Sequence, residues 1–222
     1  MTVQRITVDK IASSVRNLKL TRTLSISDKI DCREGSAIAV RVIGEKSTYN
    51  QLEDLHGRWM TLHDGDLVVG VLGNHDWYAG GHRVRRALED VGLPVLEESA
   101  VPVLDGRLWV AGVGDLWERD PDVGRALRGV PEGAATLLLT HNPDVVVDVP
   151  AHVPLVLAGH THGGQIRLLG RGVHRLSERS GNRWSHGWYP RERMYVTAGV
   201  GTSTLPLRTV VPEVPVLVLS PA

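Results

Sequence analysis

Phenylalanine is missing from this 222-residue chain, and cysteine occurs once, as Cys32. A lone cysteine excludes an internal disulfide framework and is compatible with a reducing compartment. Surplus charge is missing too. The 25 basic and 25 acidic residues cancel, so no general attraction to nucleic acid or to an anionic membrane is implied. No apolar run approaches the ~20 residues that a membrane-spanning helix needs. The opening M-T-V-Q-R-I-T-V-D-K lacks the charged-then-apolar layout of a secretory leader. A cytoplasmic protein without a membrane span is the expectation. What is present is ordinary: 42% hydrophobic and 23% charged residues, enough chain for one large domain or a domain with a small appendage.

The stretch that organises the rest is Leu67 to Asp76, L-V-V-G-V-L-G-N-H-D. A short valine-rich run suits a strand buried on both faces, as in a parallel sheet. It ends at Gly73, where the backbone turns, and Asn74, His75 and Asp76 follow at once. In open α/β sheets ligands bind just past the carboxyl ends of strands, so these residues are site candidates. The design recurs. Ala135 to Thr140 runs into His141, and Val153 to Gly159 runs into His160-Thr161-His162. Three such strand ends point to convergence on a metal.

The first 66 residues read differently, as a β-rich segment without a defined role. Strands are expected at Gln4–Val8 and Ala37–Ile43, and a short helix at Ser47–Leu55. Trp59–His63 and Asp66–Leu72 form a potential hairpin around Asp64-Gly65, a strong two-residue turn signal. From residue 67 to 222 the rhythm is strand, loop, helix, which argues for α/β architecture. Helices are expected at Gly81–Val91, stopped by Gly92, at Asp120–Leu127 with Pro121 in first position, and from His141-Asn142-Pro143-Asp144 onward. Further strands are expected at Leu108–Val113, Arg193–Thr197 and Val214–Leu219.

Residues two apart in an extended segment point the same way, about 6 to 7 Å apart. His160 and His162 can therefore both face a site holding two metals, whose usual separation is ~3.5 to 4 Å. Neutral imidazole and an amide oxygen suit Zn, Mn, Fe or Ni, whereas magnesium usually takes an oxygen shell. Asn74, His141 and His160 thus form the protein side of one metal position, with His162 leaning toward a second. His75 stays free to act on substrate, stabilising charge on a phosphoryl oxygen or protonating a leaving alkoxide.

G-N-H-D at 73–76, T-H-N-P-D at 140–144 and G-H-T-H-G-G-Q at 159–165 together resemble the calcineurin-like metallophosphoesterase family. The similarity is to its bacterial phosphodiesterase-like branch and covers roughly residues 67 to 220, including A-G-V-G-D-L-W at 111–117 and the loop from Gly199 to Arg208. The resemblance implies two sheets flanked by helices and a dinuclear centre of Mn, Fe or Zn at the strand ends. It also implies phosphodiester or phosphomonoester hydrolysis by metal-activated water. Asn74, His141, His160 and His162 would then be ligands and His75 the substrate-facing histidine.

The chain departs from the family at its amino-terminal side, where a strand ending in Asp-x-His and another ending in Gly-Asp-x-x-Asp are expected. Asp54-Leu55-His56 and Gly65-Asp66 imitate these motifs at the wrong spacing. Eight residues separate His56 from Gly65, too few for a parallel crossover of a dozen or more. Asp66 precedes its apolar run, about 25 Å from Asn74 at ~3.3 Å per residue. Both read as decoys. The expectation is an incomplete phosphoesterase that holds one metal or two and has a reduced rate. The rival is a non-catalytic module of the same fold, or an inactive fusion. Singly, each polar residue at a strand end reads as a cap; jointly they read as a site. His82, His152, His174 and His186 read as surface groups, and Arg208 as either a phosphate contact or a structural tie.

Overall fold

The computed structural model describes residues 38–42, 67–90, 92–168, 171–172, 183–199, 207–212, 215 and 217. Gln4–Val8, Ser47–Leu55, the Trp59–His63 arm with its Asp64-Gly65 turn, Asp54, His56 and Asp66 lie outside the described residues. Strand β1 (Ile38–Val42) pairs antiparallel with β2 (Leu67–Val71), placing Ile38 opposite Val71. An antiparallel partner for β2 is expected from the hairpin reading, but the strand that pairs with it here is β1. The other side of β2 carries a parallel bridge from Gly70 to Val95. The Gly70 N–H donates to the Pro94 carbonyl at 3.0 Å, and the Leu96 N–H to the Gly70 carbonyl at 2.8 Å.

Two helices follow, α1 (Asn74–Tyr78) and α2 (Gly81–Asp90). Gly92 ends α2 with φ of +82°, a left-handed value that favours glycine. There the Gly92 N–H reaches the Glu89 carbonyl and the Leu93 N–H the Leu88 carbonyl, both at 2.9 Å. This pair of bonds closes the helix by recapturing its last carbonyls.

The main sheet takes β3 (Ser99–Val103), β4 (Leu108–Gly112), β5 (Thr136–Leu139) and β6 (Leu155–Ala158). A small hairpin, β7 (Arg167–Leu168) with β8 (Arg171–Gly172), leaves the sheet before β9 (Gly187–Tyr189) and β10 (Met194–Val196) complete it. The spatial order is β3-β4-β5-β6-β10-β9. Strands β4, β5, β6 and β10 run parallel, and the edge strands β3 and β9 are antiparallel. Of the expected strand Val214–Leu219, only residues 215 and 217 are described.

Alternation along the central strands builds two cores. Leu137 and Leu139, Val110, Leu155 and Tyr195 face one side, where Val69, Val71 and Leu96 cover them. Leu138, Ala111, Val156, Met194 and Val196 face the other, where Val123 and Ala126 of α3 (Val123–Leu127) and Val145, Val146 and Val149 cover them. Both faces of the central strands are therefore dry, which explains why their sequences read as unbroken apolar runs. Each fully buried leucine stabilises the fold by about 1.5–3 kcal/mol. The fold is α/β, with a second strand layer on one face and helical turns on the other. Helix α3 starts later than its sequence suggests. Pro121 lies before it, and the Asp122 carboxylate caps it by accepting the Arg125 N–H at 2.8 Å. Among the described residues, no helix is long and apolar enough to cross a membrane.

Candidate functional site

Parallel register brings four chain segments to one edge. Gly112, Leu139 and Leu157 are aligned across β4, β5 and β6. The residues just beyond them are therefore neighbours: Asp115 after β4, His141 after β5 and His160 after β6. Asn74 arrives from the end of β2. The Gly73 carbonyl accepts the N–H groups of Asp76 and Trp77, and the Asp76 carboxylate accepts the Gly73 N–H at 2.8 Å. This reciprocal capping starts α1 and fixes Asn74 in its first turn.

The contacts are direct. His141 Nε2 lies 3.1 Å from Asn74 Oδ1 and 3.1 Å from His160 Nδ1. Asn74, His141 and His160 are all buried. The two imidazole rings meet nearly edge to face, with centroids 5.0 Å apart. His162 lies two residues further on and is half-buried, and His75 stands beside Asn74, half-buried, with its ring 5.6 Å from that of Tyr78. Asn74, His141 and His160 are thus brought together from parts of the chain up to 86 residues apart (160 − 74).

A ring nitrogen has one in-plane direction for a proton or a lone pair, so Nε2 of His141 serves its two neighbours poorly by hydrogen bonding alone. A divalent cation at ~2.0–2.2 Å from each donor would hold the donors roughly 2.8–3.6 Å apart, from octahedral to tetrahedral angles. The observed 3.1 Å separations fall inside that range. Two imidazoles and a carboxamide oxygen also match the ligand chemistry of Mn, Fe and Zn. The residues fit one such cation. Among the described residues, no group of three or more histidine, cysteine, aspartate and glutamate side chains is placed to hold a metal.

The second histidine segment differs from the extended strand expected for it. Strand β6 ends at Ala158, and the Gly159 carbonyl accepts the Thr161 N–H at 2.7 Å across His160, whose φ is +68°. This is a γ-turn of the strained kind. His162 also has a left-handed φ, of +49°. The two rings are therefore set by a tight turn, not by pleat alternation. Such backbone costs of order 1–3 kcal/mol per residue and persists where the surroundings over-determine it. Here the Thr161 hydroxyl donates to the Ser185 carbonyl at 2.6 Å, and the Gly159 N–H donates to the His141 carbonyl at 3.0 Å.

The residues after His162 supply the floor of that turn. Gly163 has φ of +66°, and a Cβ there would lie 2.7 Å from Val210 Cγ1 and 3.0 Å from Ala198 Cβ. Gln165 is fully buried. Its side-chain amide donates to the Leu207 carbonyl at 3.0 Å, and its own carbonyl accepts the Thr209 N–H at 2.9 Å. Arg208 acts as a tie. Its guanidinium donates to the carbonyls of Ala198 at 2.7 Å, Gly199 at 2.9 Å and Val210 at 2.7 Å. Gly163→Ala is expected to destabilise the protein by about 2–4 kcal/mol, since left-handed backbone and overpacking add. Thermal melts should show Tm lower by on the order of 10 °C. A melt within about 2 °C of wild type would refute this packing argument.

From sequence Asp115 reads as a loop aspartate capping a helix or as a residue near the substrate, whereas Trp117 carries no assigned role. Asp115 is buried, and its Oδ1 accepts the N–H groups of Trp117 at 2.9 Å and Glu118 at 3.1 Å. Its Oδ2 is buried with no hydrogen-bond partner among the described residues. Burial pushes its carboxyl above the usual value of 3.8, and Glu118 and Asp76 add to the rise, against the pull of the two N–H groups. A carboxyl raised on folding costs stability once pH exceeds its unfolded value, and that cost is complete above its folded value. Asp115→Asn keeps the accepting oxygen and sheds the charge. Melts of chelator-treated protein should show the variant more stable than wild type at pH 7, with the advantage gone below pH 3.8. An advantage that is the same at both pH values would refute the assignment. Trp117 sets its ring almost perpendicular to that of His160, with centroids 4.5 Å apart. Of the histidines read as surface groups, His82 and His152 are exposed and His186 is half-buried, while His174 lies outside the described residues.

Comparison with known proteins supplies the deciding observation. A metallophosphoesterase of Helicobacter pylori (strain ATCC 700392 / 26695) is 32% identical over 174 residues, spanning 74% of this chain and 42% of the relative. One of Aquifex aeolicus (strain VF5) is 32% identical over 154 residues, spanning 67% of this chain and 58% of the relative. The chain belongs to the calcineurin-like metallophosphoesterase family. The phosphodiesterase YaeI of Escherichia coli (strain K12) is likewise 32% identical, over 145 residues, spanning 59% of this chain and 50% of YaeI. No family model and no solved structure matches. The chain spans about half the length of these curated relatives.

Proposed function

We propose that this metallophosphoesterase is a metal-dependent hydrolase of phosphate esters, acting on phosphodiesters by preference. Asn74, His141 and His160 hold one divalent cation (Mn, Fe or Zn), and His162 faces a second position. His75 meets the substrate. The observation that carries the reading is the convergence of Asn74 Oδ1, His141 Nε2 and His160 Nδ1. The name of the phosphodiesterase YaeI supports the diester preference. A cytoplasmic setting belongs to the same reading.

The bound cation supplies Lewis-acid polarisation of the phosphoryl oxygen and a water nucleophile at neutral pH. The chain supplies the rest. Asn74 presents a neutral oxygen and leaves the cation's positive charge uncancelled. The strained turn at His160 holds its ring edge in place before substrate arrives, so little reorganisation is needed. His75, one residue from Asn74 on a capped helix, is placed to donate a hydrogen bond to a phosphoryl oxygen or a proton to the leaving alkoxide.

The β-rich segment 1–66 and the domain 67–222 are the divisions of this reading. A module that binds a cation without turnover is the second reading. Hydrolysis of bis(4-nitrophenyl) phosphate with added Mn separates the two. Turnover lost on chelation and restored by Mn supports the hydrolase, and a background rate with Mn held supports the module.

A further inference from the structure

Five large hydrophobic side chains are exposed among the described residues: Tyr78, Trp117, Val147, Leu207 and Val211. The two aromatic ones touch candidate site histidines, Tyr78 against His75 and Trp117 against His160. Trp117 makes its perpendicular contact and still leaves 38% of its surface in solvent. A half-open indole at such a place is costly unless something covers it.

The loop that carries Trp117 is built to hold it there. Asp115 receives the Trp117 N–H and passes its own carbonyl to the Arg119 N–H at 2.9 Å. The Gly114 N–H donates to a Glu98 carboxylate oxygen at 2.8 Å. The Arg119 guanidinium lies 4.6 Å over the Trp77 ring of α1 and pairs with Glu97 at 2.6 Å. The indole is thereby fixed relative to both the His160 turn and the helix that bears Asn74 and His75. A rigid aromatic surface bordering a polar centre is how small-molecule sites select the organic part of a ligand.

We infer that Trp117 is a specificity-determining residue that stacks a planar aromatic group of the ester beside the cation position at His160. The inference rests on the phosphoesterase reading above, and it names the substrate class: phosphate esters with an aryl or similarly flat arm. Saturated alkyl esters of the same charge would lose that contact.

The test compares two probes with one charged head, phenylphosphonate and methylphosphonate, by calorimetric titration into the Mn-loaded full chain. Wild type should bind the phenyl compound about tenfold more tightly, in line with stacking on an aromatic ring. In Trp117→Ala the preference should fall to near unity with Mn affinity and methylphosphonate affinity unchanged. Trp117→Phe, which keeps a flat ring, should retain part of it. Equal binding of both probes by wild type would overturn the inference and leave the phosphoesterase reading standing. So would a preference that survives in Trp117→Ala, or a matching loss of methylphosphonate affinity, which would mark Trp117 as a positioning residue for His160. Mn-loaded wild type that binds neither probe would sink both.

Discussion

His160→Ala is expected to strip the protein of tightly held metal and with it nearly all phosphodiester hydrolysis. The nitrogen removed is one of three donors, and His141 Nε2 lies 3.1 Å from each of the other two, a spacing that suits a shared cation. The remaining pair, Asn74 and His141, comes from two separate chain segments and offers one neutral oxygen and one nitrogen. Losing only a hydrogen-bond partner of a ligand typically costs 10–100-fold in metal affinity. Losing the ligand itself should cost more than about 100-fold, and turnover of bis(4-nitrophenyl) phosphate should fall by about 10³ or more. Metal per chain after gel filtration, together with the rate in added Mn, reads both effects. Alanine keeps the Cβ and so the same left-handed strain at φ of +68°, and a thermal melt of the variant separates loss of the donor from loss of the fold. A variant that keeps full metal and full rate would mean that the three donors are a hydrogen-bonded cluster and nothing more.

The second large effect separates chemistry from metal binding. His75→Ala should retain wild-type metal content and lose about 10²–10⁴ in kcat, the range spanned by positioned acid–base and charge-stabilising groups. His75 is the second residue of α1, next to Asn74, and is half-buried where Asn74 is buried. A buried ligand and a half-buried neighbour on one short helix are what a division of labour between cation and substrate requires. Metal content falling in step with rate would make His75 a ligand. An unchanged rate would remove it from the reaction.

How much of this was legible beforehand depends on what each residue type can signal. Strands β5 and β6 announce themselves, since T-L-L-L and L-V-L-A must be buried on both faces. Strand β3 does not. Its sequence is S-A-V-P-V, and Pro102 argues against a strand unless that strand lies at an edge, as it does here. Helix α1 is hidden because its cap is a glycine backbone and its five residues carry no periodic apolar face. The convergence of Asn74, His141 and His160 was readable from where the apolar runs stop. The conformation of His160 and His162 was not. Left-handed backbone is signalled by glycine or asparagine, and here histidines adopt it because Thr161, Ser185 and the Gly163 packing leave no alternative. Trp117 was hidden for a different reason. Nothing local relates it to His160, 43 residues away (160 − 117), until β4 and β6 are placed in one sheet.

The hold of Gln165 on residues 207 to 210 reaches beyond packing. It makes residues 207 to 210 a latch for the histidine turn, so residues more than 40 positions later in the chain govern whether the site keeps its shape. A deletion of residues 207 to 210 would take away the carbonyl that receives the Gln165 amide and the two N–H groups that reach its own carbonyl. Swapping in the tail of a homologous enzyme would succeed only if it brought its own carbonyl and N–H to those same two atoms.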